Sequence, residues 1–319
     1  MQQLRLTTSS DPVASGALAG TFADMSHYDM LLTPAEGDVY VTKPNGQPLL
    51  VVLRKAITGA MYQATYAAVA PLARSTPHGN RGNAAGEIRE HETVEALKSN
   101  MSTRMLGSRS KVRFRPIKKD GRVSSTNYSK IVASFVAGYV DRSPRFPYCR
   151  QTVYTNQHPA RLVKLLPCLT HLTALFATHL PQRHAAQAAQ CALTHPDFVI
   201  PQTVFTTLTI NRNWATAFHT DAGDLPEGFG VMLCLRAGSY EGGYYVMPQY
   251  QIAVDLHAGD VILSDVHEYH GNTAIDGDVK RYERITMVCY FRAKMVQCGS
   301  MQEELTSVKQ RKSQIRHGR

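Results

Sequence analysis

Residues 230–265 read GVMLCLRAGSYEGGYYVMPQYQIAVDLHAGDVILSD. Short runs rich in β-branched and large apolar residues, Gly230 to Leu235, Tyr244 to Val246, Ile252 to Leu256 and Val261 to Asp265, alternate with Gly238, Gly242-Gly243 and Ala258-Gly259-Asp260, which turn a chain at little steric cost. The pattern extends to Thr203–Ile210 and Thr216–Asp221 on one side and to Arg284–Phe291 on the other. Many short strands at this spacing predict a β-sandwich, jelly roll or barrel.

Upstream the rhythm is helical. Between Pro159 and Leu180, apolar residues at 162, 165, 166, 169, 172, 176 and 180 fall on one face of a helix that Pro167 would kink or split. A second helix is expected from Gln182 to Leu193, and an Ala-rich one from Gly59 to Ala73, ending near Pro71. Asn45-Gly46 lies between two β-rich runs, Asp38 onward and up to Leu53, and predicts a hairpin. His78–Gly86 reads as a loop and His91–Ser99 as a short helix. The fold class is therefore α+β, a β core with helices packed outside it. Residues 1–30 form a peripheral, loosely ordered arm and 31–300 a single domain, its helical and basic part 31–200 and its β core 201–293. Residues 300–319 form a basic tail, disordered or a localisation signal.

The 319 residues include 35 Lys plus Arg against 25 Asp plus Glu, a net charge of +10 that favours a polyanionic partner. With 43% hydrophobic and 19% charged residues, disordered and collagen-like classes are excluded. The charge is concentrated: Arg104, Arg109, Lys111, Arg113, Arg115, Lys118, Lys119 and Arg122 share their stretch with one acid, Asp120. It reads either as a solvated loop or as a phosphate-contacting element. No apolar run suggests a membrane span, no secretory leader is evident, and a soluble intracellular protein is expected. Six cysteines, at 149, 168, 191, 234, 289 and 298, are too sparse for a disulfide scaffold and are expected to be small buried hydrophobes in a reducing compartment.

The residues that carry chemistry are His219-Thr-Asp221 and the later Asp265-Val-His267-Glu-Tyr-His270-Gly-Asn-Thr273. In extended chain, residues i and i+2 point the same way, so His219 and Asp221 can present an imidazole nitrogen and a carboxylate oxygen to one ion. A second histidine completes a two-histidine, one-carboxylate set on one face of an octahedron, leaving positions for a bidentate co-substrate and O2, and Fe(II) is the expected metal. His267 and His270 compete for that place. His270 is favoured because Gly-Asn-Thr follows it, and His267 is then a residue supporting the site from outside. Arg284, with Thr286 pointing the same way, and Arg281 compete for a co-substrate carboxylate, and Arg284 is favoured because it opens the apolar strand.

Phe146-Pro-Tyr148-Cys-Arg150-Gln-Thr152, Asn211-Arg-Asn213-Trp214, His219-Thr-Asp221-Ala-Gly-Asp224, Glu241-Gly-Gly243 and His270-Gly-Asn-Thr273 together resemble the TET/JBP family of Fe(II)- and 2-oxoglutarate-dependent dioxygenases, over residues 120–292. The likeness is closer to the base-J-binding-protein, algal and phage branch than to the animal enzymes. It implies a double-stranded β-helix of jelly-roll or cupin type, with iron on His219, Asp221 and His270. It also implies 2-oxoglutarate held by Arg284 and Thr286, with Asn211 and Asn213 beside it, and His267, Arg150 and Tyr148 in support. The substrate implied is 5-methylcytosine in DNA, flipped out of the duplex and oxidised at its methyl group to 5-hydroxymethylcytosine or further. Asp224 would accept from N4 of the base, Trp214 and Tyr290 would stack on it, and Arg292 would face it where a relative has a histidine. Arg109, Lys111, Arg113, Arg115, Lys118, Lys119 and Arg122 would grip the flanking phosphates. Alternatives within the family are an ascorbate-dependent enzyme that transfers a glyceryl group to the methyl carbon, and a thymine hydroxylase of the base J type. A monomer is expected, away from membranes, in the nucleus of a eukaryote or otherwise in the cytoplasm or nucleoid.

Overall fold

In the computed structural model, which describes residues 1–10, 16–75, 81–86, 88–89, 113–114, 132–143 and 146–317, the period-2 pattern of Glu283–Tyr290 divides the protein into two halves. The strands are β1 (Gln2–Arg5), β2 (Met30–Leu32), β3 (Val39–Thr42), β4 (Pro48–Leu53), β5 (Ile88–Arg89), β6 (Arg113–Phe114), β7 (Ser134–Val140), β8 (Arg150–Gln151) and β9 (Thr207–Arg212). Then follow β10 (Gly230–Ala237), β11 (Glu241–Gly242), β12 (Tyr245–Met247), β13 (Ile252–Val254), β14 (Val261–Ser264), β15 (Gly271–Asn272), β16 (Ile275–Asp276) and β17 (Glu283–Tyr290). The helices are α1 (Gly59–Ser75), α2 (Val153–Gln157), α3 (Pro159–His179), α4 (Pro181–Leu193) and α5 (Met301–His317).

A nine-stranded sheet runs β1-β3-β4-β14-β10-β17-β9-β7-β8, antiparallel except for β1 on β3, and a four-stranded sheet runs β15-β12-β13-β2. Odd positions of β17 (Ile285, Met287, Cys289) join Val231, Leu233 and Leu235 of β10 in a core shared with α1 and α3. Even positions turn the other way. There Met232 and Cys234 of β10 and Ile262 of β14 meet Tyr245, Met247, Ile252 and Val254 of the smaller sheet. Alternation on each strand thus builds two cores, one under the helices and one between two facing sheets, the jelly-roll arrangement expected.

Helix α3 runs unbroken through Pro167, and α1 through Pro71, in place of the expected breaks. In α3 the side chains of Leu165, Leu169, Leu172 and Phe176 are fully buried, each contributing about 2 kcal/mol of transfer free energy, which outweighs one lost backbone hydrogen bond. By length and composition α3 is also the one described helix apolar enough to cross a membrane, and those four residues face the core.

Several expectations are corrected. The first thirty residues are tied down where described: β1 forms the sheet edge, and the backbone of Gly20 and Thr21 is hydrogen-bonded to Phe218. The tail folds as α5. Its start has a capping box, Ser300 Oγ accepting from Glu303 N and Glu303 Oε2 accepting from Ser300 N, the signature Ser-x-x-Glu that the basic composition obscured. Buried Glu304 then accepts from Arg142 Nη2 and from the backbone of Cys149. Two cysteines are not free: Cys149 and Cys298, separated by 149 residues, form a disulfide because β8 and the chain entering α5 converge, a tertiary approach that spacing does not encode. Cys168, Cys191, Cys234 and Cys289 are free. Strand β7, central to one edge of the large sheet, had no sequence expectation at all. The short helix at His91–Ser99 lies outside the described residues.

Candidate metal and substrate site

The segment Thr216–Asp221 is extended but is not a strand of either sheet. Its backbone donors are taken up one at a time by different parts of the chain: Ala217 N by Ala84 O, Phe218 N by Thr21 O, His219 N by His270 O and Asp221 N by Val266 O. Among the described residues its one bridge is that between His219 and His270, whose rings lie 4.4 Å apart. After His270 a side chain would not fit, since a Cβ on Gly271 would lie 2.9 Å from Phe218 Cδ1.

Three ligand-capable atoms, one each from His219, Asp221 and His270, lie within 4.8 Å of one another. His219 Nδ1 donates to Ala217 O at 2.8 Å and His270 Nδ1 to Glu268 O at 3.0 Å, so each ring carries its proton on Nδ1 and offers the Nε2 lone pair. Those Nε2 atoms lie 3.8 and 3.7 Å from the two Asp221 oxygens. Burial, helped by His219 next to it, pushes His270 down to about 4, so it is neutral at pH 7. Two imidazoles presenting Nε2 and a carboxylate, converging on one point, fit a divalent ion with room on its open side.

His267 is excluded by its own bonds. Its Nδ1 faces Asp265 Oδ1 at 3.1 Å and its Nε2 faces Asp224 O at 3.4 Å; with both nitrogens on acceptors and the Asp265 hydrogen bond raising its pKa, it has no lone pair to give. Sequence reading missed the group behind it. Buried Lys43 donates to Asp265 Oδ2 at 2.8 Å and to Glu268 Oε1 at 2.5 Å, fixing the loop that delivers His270. Burial alone would raise the Asp265 carboxyl, but hydrogen bonds from His267 and Lys43 hold it at about 2. Lys43 sits in the hairpin far upstream, and nothing near it in sequence marks it.

The three residues open into a cavity of about 380 Å³ between the sheets. Asn211, Trp214, Asp224, Thr286, Tyr290 and Arg292 also line it, as does Arg81, which sequence reading had left without a role. Asn211 lies opposite Thr286 in the sheet, and its Oδ1 accepts from Ser134 Oγ. Tyr290 Oη is 3.0 Å from Thr209 Oγ1, which fixes its ring. Trp214 is buried against Ala84, Ala85 and Val132. Arg292 Nε donates to Asp141 Oδ1 at 2.6 Å. Burial and the charge of Asp221 raise the Asp224 carboxyl well above the usual range, against the pull of Arg292.

Arg284 is 3% exposed, at an even position of β17 like the lining residues Thr286 and Tyr290 but not itself part of the cavity lining, with Nη2 donating to Gly243 O at 3.0 Å. No carboxylate among the described residues pairs with it, whereas Arg281 is out in solvent beside Asp278.

Three expected site residues are elsewhere. Asn213, at φ 44°, clamps the start of β17, its Oδ1 accepting from Arg284 N at 2.7 Å, and does not reach the cavity. Arg150 stacks on Phe146 with its guanidinium carbon 4.4 Å from the ring centroid, and with Tyr148 it lines a second cavity beside α5. Their link to the first cavity is indirect, through the Asp141 carbonyl that Arg150 contacts. Of the basic stretch, Arg109, Lys111, Arg115, Lys118, Lys119 and Arg122 lie outside the described residues, and Arg113 is described by its backbone alone.

Comparison with known proteins adds the following. Residues 136–293 match the family model Tet_JBP, the oxygenase domain of the 2OGFeDO superfamily. The bifunctional helicase and thymine dioxygenase JBP2 of Leishmania infantum is 34% identical over 159 residues, 49% of this chain and 14% of that protein. The thymine dioxygenase JBP1 of Trypanosoma brucei brucei is 31% identical over 186 residues, 57% of this chain and 22% of that protein. The chain thus spans less than a quarter of either relative. Among solved structures, NgTET1 in complex with 5mC DNA superposes with a TM-score of 0.52 at 11% identity, covering 94% of this chain and 99% of that one, which supports the fold.

Proposed function

Because residues 136–293 belong to the Tet_JBP family of oxygenase domains, with the Fe(II), 2-oxoglutarate and O2 requirement of that superfamily, we propose that this protein oxidises the 5-methyl group of 5-methylcytosine in DNA. The observation that carries the reading is one cavity containing both a His-Asp-His cluster and the buried Asp224 carboxyl, which lies near Tyr290. His219, Asp221 and His270 would hold the metal. Fe(II) with 2-oxoglutarate and O2 supplies an oxidant able to remove hydrogen from a methyl group. Everything else falls to the protein: Arg284 would anchor the distal carboxylate of the co-substrate, with Thr286 and Asn211 beside it. Asp224 would accept from the exocyclic amine, and Trp214 and Tyr290 would cover the base faces and exclude water. Since the cavity lies inside the sandwich, the base must leave the duplex to enter it. The basic stretch around Arg109–Arg122 would then hold the phosphates on either side.

A second reading, thymine, is favoured by the names of the relatives and by Asp224 itself. Burial and the charge of Asp221 favour the protonated form of this carboxyl, and that form can donate to O4 of thymine where the ionised one cannot. The test is 2-oxoglutarate consumption by the Fe(II)-loaded protein with oligonucleotides containing 5-methylcytosine or, instead, only thymine as the methylated pyrimidine. Stimulation by the first supports the 5-methylcytosine reading, and equal stimulation by the second rejects it.

A further inference from the structure

Arg81 is the cavity residue for which the site described so far has no use. It precedes the 3-10 turn Gly82–Ala85, which is held in place from two directions: Ala84 O accepts from Ala217 N at 2.9 Å, and Ala84 and Ala85 pack on Trp214. Its Nε and Nη2 are buried without a hydrogen-bond partner among the described residues. These two N–H groups form a single edge of the guanidinium, a planar fork of parallel donors that matches two adjacent acceptors. Buried donors left unmade are costly, which makes a fork in this state a binding edge in waiting. The negative and polar groups that face it are the Tyr290 hydroxyl and the Asp221 carboxylate, neither of them bonded to it. Its charge is therefore partly offset while its donors are not, and what it lacks is a pair of acceptors more than a counterion.

Arg284 does not compete for the same group. It stands six residues before Tyr290 on β17, about 20 Å along the strand. Arg81 and Asp224 both line the cavity, and both lie near the Tyr290 hydroxyl. Cytosine presents N4–H as a donor and then N3 and O2 as neighbouring acceptors. Thymine presents O4, then N3–H, a donor, and O2, so it would set N3–H against one arm of the fork.

Resting on the reading above, we propose that Arg81 determines base specificity by donating through Nε and Nη2 to N3 and O2 of the flipped cytosine, while Asp224 takes N4–H on the other side. A carboxylate offers the same two acceptors, so the co-substrate is the competing occupant. The experiment uses the full chain with R81Q and R81K. It measures the Kd for single-stranded oligonucleotides carrying one 5-methylcytosine or one thymine, and separately the Kd for 2-oxoglutarate in the anaerobic Fe(II)-loaded protein. R81Q should weaken the 5-methylcytosine oligonucleotide about tenfold and leave the thymine oligonucleotide and 2-oxoglutarate within about twofold. R81K, which keeps the charge and one donor, should fall between wild type and R81Q, and its Tm shows whether the fold is intact. Weaker 2-oxoglutarate binding with unchanged oligonucleotide binding would overturn the proposal, as would equal losses for both oligonucleotides. If wild type binds thymine in preference, the function reading itself fails; if wild type prefers 5-methylcytosine and R81Q keeps that preference at the same ratio, only the role of Arg81 fails.

Discussion

His270→Ala should lower Fe(II) affinity by more than about a hundredfold and bring turnover below detection. Substituting residues that only support a ligand typically costs 10- to 100-fold, and removing a ligand costs more. The reason is specific to this loop. The His270 ring is buried, held neutral, and aligned through the Nδ1 bond to Glu268 O, so its Nε2 is ready at pH 7 without a proton to shed. Nothing nearby can substitute, since both His267 nitrogens are already on acceptors. His267 bonds Asp265 and the Asp224 carbonyl and no ligand side chain, so His267→Ala should cost about tenfold, the low end of that range. Anaerobic Fe(II) titration of the two variants checks both values; the reverse order would make His267 the ligand.

The second large effect concerns the fold. Glu283 accepts from Arg74 Nε at 2.8 Å and Nη2 at 2.7 Å, from Arg212 Nε at 2.6 Å and from Tyr66 Oη at 2.5 Å, joining α1 to β9 and β17. Glu283→Ala leaves two guanidinium groups facing a void and should cost about 3 kcal/mol, at the low end for a buried pair because Arg74 is half in water. Burial alone would raise this carboxyl from 4.5, yet Arg74, Tyr66 and Arg212 hold it at about 2. Its folded pKa is thus depressed, so its contribution is complete above pH 4.5 and is lost as pH falls towards 2. The stability gap between wild type and Glu283→Gln, read by urea denaturation, should therefore be constant from pH 7 to 5 and close between 4.5 and 2. A gap that stays open at pH 2.5 would mean the carboxylate charge is not what the network uses.

The β core was legible because Ile285, Met287 and Cys289 alternate with residues of another kind, and the Gly-marked turns bound runs too short to be helices. Strand β7 was not legible: Ser134-Phe-Val-Ala-Gly-Tyr-Val140 is buried on both faces and has no alternation to detect. Gly138, at φ 85° with its N–H on Thr155 Oγ1, breaks the strand pattern further. Within the site, His219 and Asp221 were readable from two-residue spacing, although extended backbone stitched to four segments brings them together, not a strand. Asn213, Arg150 and Tyr148 sit in family-like motifs for reasons of backbone clamping and stacking, which motifs cannot separate from ligand contact. Arg81 and Lys43 could not be found from their surroundings, because a Gly/Asn-rich loop and a hairpin turn say nothing about the cavity each reaches.

The most direct test is mass spectrometry of nucleosides after incubating the protein and Fe(II) with DNA containing 5-methylcytosine or with unmodified DNA, each with 2-oxoglutarate or with ascorbate alone. The result expected is 5-hydroxymethylcytosine, or its further oxidation products, formed only from 5-methylcytosine DNA and only with 2-oxoglutarate. Oxidised thymine in place of oxidised cytosine, a heavier cytosine adduct formed with ascorbate alone, or unchanged bases throughout would contradict it.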